Sequence, residues 1–253
     1  MGFRNQIIVA MTAVLMLANG GCTKPTETAP NSPETLTMSW AAGEILSVVS
    51  VAPAPGERAK QVRQDYLSEA LPLAGQFGLR PLGALPVTAV PVGKFKPGAV
   101  SFFAWPGAAE ATALASHPSW PPIKAKRPVG WSELRIHDVV VEQPVSLRFD
   151  PRKTYTMATA WINPERPEDY DRYLSNIADT VAEIGGRFIL DMREPAFEAH
   201  ASNGPAPGRV VFVEWDSPAA LAALQKTRGF KNNVALLQSG TTNFELLILH
   251  NPS

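Results

Sequence analysis

From residue 45 onward, β-branched apolar runs alternate with stretches whose apolar positions recur at helical spacing. The run 45–51 closes on Pro53 and Pro55 and predicts a strand. Residues 57–77 place Val62, Tyr66, Leu67 and Leu71 near one helical face, with Pro72 predicted to kink or end the helix. Residues 79–92 mix apolar residues with Pro and Gly and predict a strand and turn of an edge hairpin. A third strand follows over 100–105, a second helix over 108–116 and a fourth strand over 134–141. After a connection over 143–152 the same order returns more cleanly. A strand spans 155–161; Pro167 sits where a first helical turn accepts proline. Tyr170, Tyr173, Leu174, Ile177, Val181 and Ile184 then share a helical face, which Gly185-Gly186 stops. Strands at 187–192 and 209–215, a helix at 218–226 and a strand at 244–250 complete a second βαββαβ unit of the split ferredoxin-like type.

The two units also share wording. Pro-Gly-Ala-Val-Ser-Phe-Phe-Ala-Trp105 recurs 110 positions later as Pro-Gly-Arg-Val-Val-Phe-Val-Glu-Trp215, each followed by an Ala-rich run. Eight of 18 ungapped positions from Pro97 to Leu114 are identical, where composition alone gives about one or two. This predicts an internal duplication.

In such a unit helices cover one sheet face only, so a central strand with its other face in water should alternate. Val210-Val211-Phe212-Val213 and Leu246-Leu247-Ile248-Leu249 do not. Leaving those side chains wet would forgo about 1.5–3 kcal/mol each, so the second face needs an apolar cover. The sheet of the other unit supplies one. The expected fold is α+β, with two tandem ferredoxin-like units packed sheet to sheet as an internal pseudo-dimer. Its divisions are a signal peptide over 1–21, a disordered tether over 22–43, and repeats over 44–143 and 153–253.

Charge is balanced at 23 basic and 23 acidic residues, without the basic stripe of a nucleic-acid binder. The 12-residue apolar run of 7–18 follows Arg4 and ends in Asn-Gly-Gly-Cys22. That run is short for a bilayer span and has the layout of a secretory signal. Cys22 is the sole cysteine, so it has no internal disulfide partner. The stretch resembles a bacterial lipoprotein signal, with Asn19 where that family usually has Leu. The resemblance implies a lipid on Cys22, a membrane partner, and the periplasmic side of the cell envelope. The Pro- and Thr-rich residues after it have the composition of a spacer.

Tyr170, Tyr173, Gly185-Gly186-Arg187-Phe188-Ile189-Leu190 and the segment from Arg209 to Leu221 together resemble domain of unknown function 1330. The likeness is good over 155–250 and weak over 45–141. That family belongs to the dimeric α/β barrel superfamily, which implies two ferredoxin-like units packed sheet on sheet and includes haem-binding and monooxygenase members. A Ser-Pro-Glu-Tyr usual near the end of the family's second helix is replaced by Thr227-Arg-Gly-Phe230 and His117-Pro-Ser-Trp120.

None of the histidines His117, His137, His200 and His250 has zinc-type spacing. Nucleophile elbow, phosphate loop and thiol pair are all missing, so no metal and no cofactor is expected. His117 before Pro118 either ends its helix or faces a pocket, His137 reads as solvated on its strand, and His250 reads as surface. Arg193, Glu194, Glu198 and His200 fall in a predicted hairpin, as a charged edge or as an acid–base pair. Trp105 and Trp215 end equivalent strands and read as packing residues. Together with His117 and Arg193 they are also the candidate ligand-pocket residues. The favoured expectation is a lipid-anchored envelope protein, monomeric because its repeats pair with each other, that binds a small apolar ligand or a protein without catalysis. The alternative is a small oxygenase- or isomerase-like enzyme using His117 or His200 as base, with Glu198 a further candidate.

Overall fold

The computed structural model describes residues 34–200 and 205–251; the signal-like segment and Cys22 lie outside them. In chain order the elements are β1 (Leu36–Trp40), β2 (Ile45–Pro53), α1 (Glu57–Gln76), β3 (Arg80–Val92), β4 (Ala99–Trp105), α2 (Ala108–Ser116), α3 (Trp120–Lys124), α4 (Arg127–Gly130) and β5 (Trp131–Val140). After β6 (Val145–Phe149) come β7 (Thr154–Ile162), α5 (Pro167–Glu183), β8 (Gly186–Arg193), β9 (Ala196–His200), β10 (Arg209–Trp215), α6 (Pro218–Leu224), α7 (Arg228–Gly240) and β11 (Thr241–Leu249).

Nine strands form one antiparallel sheet in the order β8-β10-β7-β11-β3-β4-β2-β5-β9. Each half contributes the ferredoxin-like arrangement, β5-β2-β4-β3 and β11-β7-β10-β8. The halves are joined by strands that change partner along their length. Over Arg80–Pro86, β3 pairs with β4 of its own half, and from Val87 to Val92 it pairs with β11 of the other. In the second half β8 pairs with β10, and after the left-handed Glu194 (φ 44°) the chain resumes as β9 on β5. Because β8 and β9 are consecutive in the chain and stand at opposite ends of the strand order, the sheet closes on itself as a barrel.

Closure corrects two expectations. Residues 79–92 are a shared strand rather than an edge hairpin, and Glu198 and His200 lie on a paired strand rather than in a hairpin. Within the stretch expected as tether over 22–43, Leu36–Trp40 is a strand that pairs with Val145–Phe149 as a two-stranded ribbon. Its alternation is that of a half-buried strand, with Met38, Trp40, Leu147 and Phe149 buried and the residues between them turned outward.

The apolar pattern on both strand faces has its predicted meaning. Val210, Phe212, Leu247 and Leu249 join Leu46, Val48, Val100 and Phe102 of the first half, together with the ribbon, in one core inside the barrel. Val211, Val213 and Trp215 face the other way, toward α5. A polar layer crosses the barrel as well. Arg135, the fifth residue of β5, sends Nη1 to Oε2 of Glu245, the fifth residue of β11, at 2.6 Å, and both side chains are buried.

Candidate functional site

In the second half, the space between the outer sheet face and α5–α7 is a cavity of about 620 Å³ with an almost wholly apolar lining. Such a volume suits a small organic ligand. Its floor is built by sheet alternation. Along β11, Glu245, Leu247 and Leu249 are buried toward the barrel, while Phe244, Leu246, Ile248 and the following His250 stay half-exposed toward the cavity. The buried Thr156 and the half-exposed Ala158 of β7 also line it, and small residues there leave room that larger ones would fill. The roof is the amphipathic face of α5, with Tyr170, Tyr173 and Ile177, closed by Phe230 and Leu237 of α7. Thr88, Pro91 and Val92 of β3 bring the first half into the rim.

The roof is held firmly. A Cβ on Gly240 would lie 2.4 Å from the backbone N of Tyr170, so α7 ends against the start of α5 at a distance that glycine alone permits. Ser239 Oγ donates to Asp169 at 2.6 Å and Asn163 Nδ2 to the Ser239 carbonyl at 2.7 Å. At the floor, Trp215 Nε1 donates to Thr156 Oγ1 at 3.0 Å, which satisfies the indole while its ring lines the cavity.

Tyr170, Tyr173 and His250 are the ionisable residues of the lining. Burial raises the Tyr173 phenol to about 12, and burial followed by the Tyr173 neighbour raises that of Tyr170 further. Both therefore stay protonated at neutral pH and can serve as donors, not as bases. His250 sits at the end of β11 with Nδ1 3.2 Å from the Lys153 carbonyl.

The residues singled out in the sequence do not gather here. Trp215 lines the cavity, whereas Trp105 is half-buried against the first-half core. His117 ends α2, accepts from Ser119 N through Nδ1 at 3.2 Å and touches Phe77 edge-on, away from the cavity. Glu198 is ion-paired with Arg127 at 2.6 Å and Lys124 at 2.9 Å, and His200 Nε2 lies 3.0 Å from the Trp131 carbonyl, along a groove of the first half. Arg193 is exposed beside Asp171 and Asp191, and Glu194 serves the barrel joint. His137 is buried rather than solvated, with 1% exposure and neither ring nitrogen bonded. His250, read as surface, is the histidine that reaches the cavity. The missed signals were local: Phe230, Val234 and Leu237 have helical spacing over α7, and Thr227 caps it through Phe230 N at 3.1 Å.

Residues 153–251 match the domain of unknown function DUF1330. This is the half that contains the cavity. The chain as a whole is similar to the crystal structure of an anthrone oxidase-like protein, with 12% identity, 86% of this chain and 94% of that one covered, and a TM-score of 0.51. A candidate monooxygenase of Lactobacillus acidophilus has 10% identity, covering 82% and 93%, at a TM-score of 0.41. A chlorite dismutase variant of Candidatus Nitrospira defluvii has 9%, covering 83% and 92%, also at 0.41. The first likeness establishes the dimeric α/β barrel type of fold. No curated protein sequence matches. The anthrone oxidase-like neighbour is named for an enzyme, and the expectation of a ligand or protein binder without catalysis is corrected accordingly.

Proposed function

We propose that the protein is an oxygenase-type enzyme that takes a planar aromatic substrate into the second-half cavity and oxidises it at an acidic carbon with molecular oxygen. In balance, a methylene and O₂ give a carbonyl and water. The observation that carries this reading is the cavity itself, a deep apolar space walled by Tyr170, Tyr173, Trp215, Phe230 and Phe244. Flat aromatic walls favour flat aromatic guests through stacked and edge-on contacts, and excluding water protects a carbanion from premature side reactions. The name of the anthrone oxidase-like neighbour supplies a suitable probe, since anthrone is a flat ketone with an acidic methylene. The first half then acts as a diverged copy that completes the barrel and lends β3 to the rim.

The test is oxygen uptake by the full chain with anthrone, alongside quenching of tryptophan fluorescence. Saturable uptake with quenching is the expected result. Neither signal up to the solubility limit of the probe would overturn the reading. Location is a separate proposal, that Cys22 carries lipid on the periplasmic side of a bacterial envelope. Palmitate should label the wild type and not Cys22→Ser.

A further inference from the structure

His250 is held in a way that the cavity alone does not require. Its backbone N–H donates to the Pro86 carbonyl of β3 at 3.2 Å, so the first half fixes its main chain. Its ring Nδ1 lies 3.2 Å from the Lys153 carbonyl oxygen. A carbonyl only accepts, so Nδ1 must carry the proton and donate, and in the neutral ring Nε2 then keeps its lone pair. Among the described residues lining the cavity, the other two ionisable groups are Tyr170 and Tyr173, which burial keeps protonated. Among the described residues, no aspartate, glutamate, lysine or arginine contributes to the wall.

We infer that His250 is the general base of this site, taking a proton through Nε2 from the acidic carbon of the bound aromatic substrate. The C–H bond breaks, its electron pair stays on the substrate as a delocalised enolate, and the proton goes to Nε2. The Lys153 carbonyl both selects the tautomer and stabilises the imidazolium that forms. Tyr170 and Tyr173, as protonated phenols, are suited to donate to the enolate oxygen. This inference rests on the aromatic-substrate reading above and adds the residue that begins the reaction.

The step can be isolated from oxidation by following deuterium exchange at the anthrone methylene by NMR, in D₂O under argon, with the full chain. Wild type should accelerate exchange. His250→Asn keeps a side-chain N–H in place for the Lys153 carbonyl but has no base, and should slow exchange by about 100-fold or more. Its thermal melt and its quenching by anthrone should match wild type. If His250→Asn binds anthrone and exchanges within about threefold of wild type, His250 is not the base, and the cavity reading stands. If wild type does not bind anthrone, the aromatic-substrate reading fails and the base assignment fails with it.

Discussion

The two halves build the same frame and use the space under their helices in opposite ways. In the second, one continuous α7 stands off from the sheet and leaves a cavity. In the first, prolines at 121, 122 and 128 accompany two short pieces, α3 and α4, in place of one helix, and aromatic bulk fills the gap. Trp131 opens β5 where Thr241 opens β11, and packs edge-on against Tyr66 at 5.0 Å. Arg127 is held by Tyr66 Oη at 3.0 Å and lies over the Trp120 ring at 5.3 Å. A fold of this kind thus has two places for a site, and side-chain volume at a few positions decides which stays open.

The sharpest way to break the comparison is at the position where the halves differ in charge. Arg135→Met should destabilise by about 3–5 kcal/mol, because Glu245 would be left buried and unpaired. Arg135→Met/Glu245→Met together should recover most of that loss in urea melts. A single variant as stable as wild type would show that the pair is not felt.

The two tryptophans come next. Trp215 is 2% exposed with its N–H bonded to Thr156, so Trp215→Ala should cost about 3–5 kcal/mol. Trp105 is half-buried, and Trp105→Ala should cost less than half as much. Equal thermal shifts would mean that the halves are more alike than their packing indicates.

His137 offers a contrast in acid. Burial, and secondarily the Arg135 charge, lower it from 6.5 to about 4, whereas the second half has Leu247 at the corresponding place. A folded-state value below the unfolded one contributes stability above pH 6.5 that is lost as pH falls toward 4. The shift amounts to about 3 kcal/mol at most. His137→Leu should flatten the pH dependence of unfolding in that window while keeping the fold. An unchanged slope would count against a neutral buried ring.

The smallest expected effect on stability is the most informative about the site. Ala158 lies mid-strand in β7 and is half-exposed only because it faces the cavity. Ala158→Leu should leave the melting temperature within a degree or two, since it fills empty space, and should weaken anthrone binding at least tenfold, or about 1.4 kcal/mol. A large fall in stability would mean that the cavity is already closed in solution.

These contrasts also mark what the sequence could carry. Strand periods, the repeated Trp105 and Trp215 segments and the two-faced apolar runs lead to the barrel, because each is a property of neighbouring positions. The ribbon strand was legible in Leu-Thr-Met-Ser-Trp40 but hidden by the proline-rich composition before it. The strand-sharing of β3 was not legible, since partner exchange there depends on residues 160 positions apart, as in the Thr88 hydroxyl donating to the Ile248 carbonyl at 3.2 Å. The cavity was least legible of all, because it is an absence shared by five strands and three helices. Thr156 and Ala158, small residues in an otherwise bulky sheet, were its trace, and His250 looked terminal until the barrel turned it inward.

The Arg135–Glu245 pair has a further consequence, for the company each half can keep. If two second halves met as the two unlike halves do here, Glu245 would face another Glu245, and two first halves would set Arg135 against Arg135. The Glu245 encounter, with both carboxylates buried, is unfavourable by several kcal/mol. The unlike pairing gives Glu245 its cation, whereas Arg135 also holds Glu133 of its own strand at 2.6 Å. The single chain therefore does more than tether its halves at high local concentration. It carries, at one buried position, a preference for its own complement over a twin, which discourages exchange of halves between molecules even when many copies crowd together.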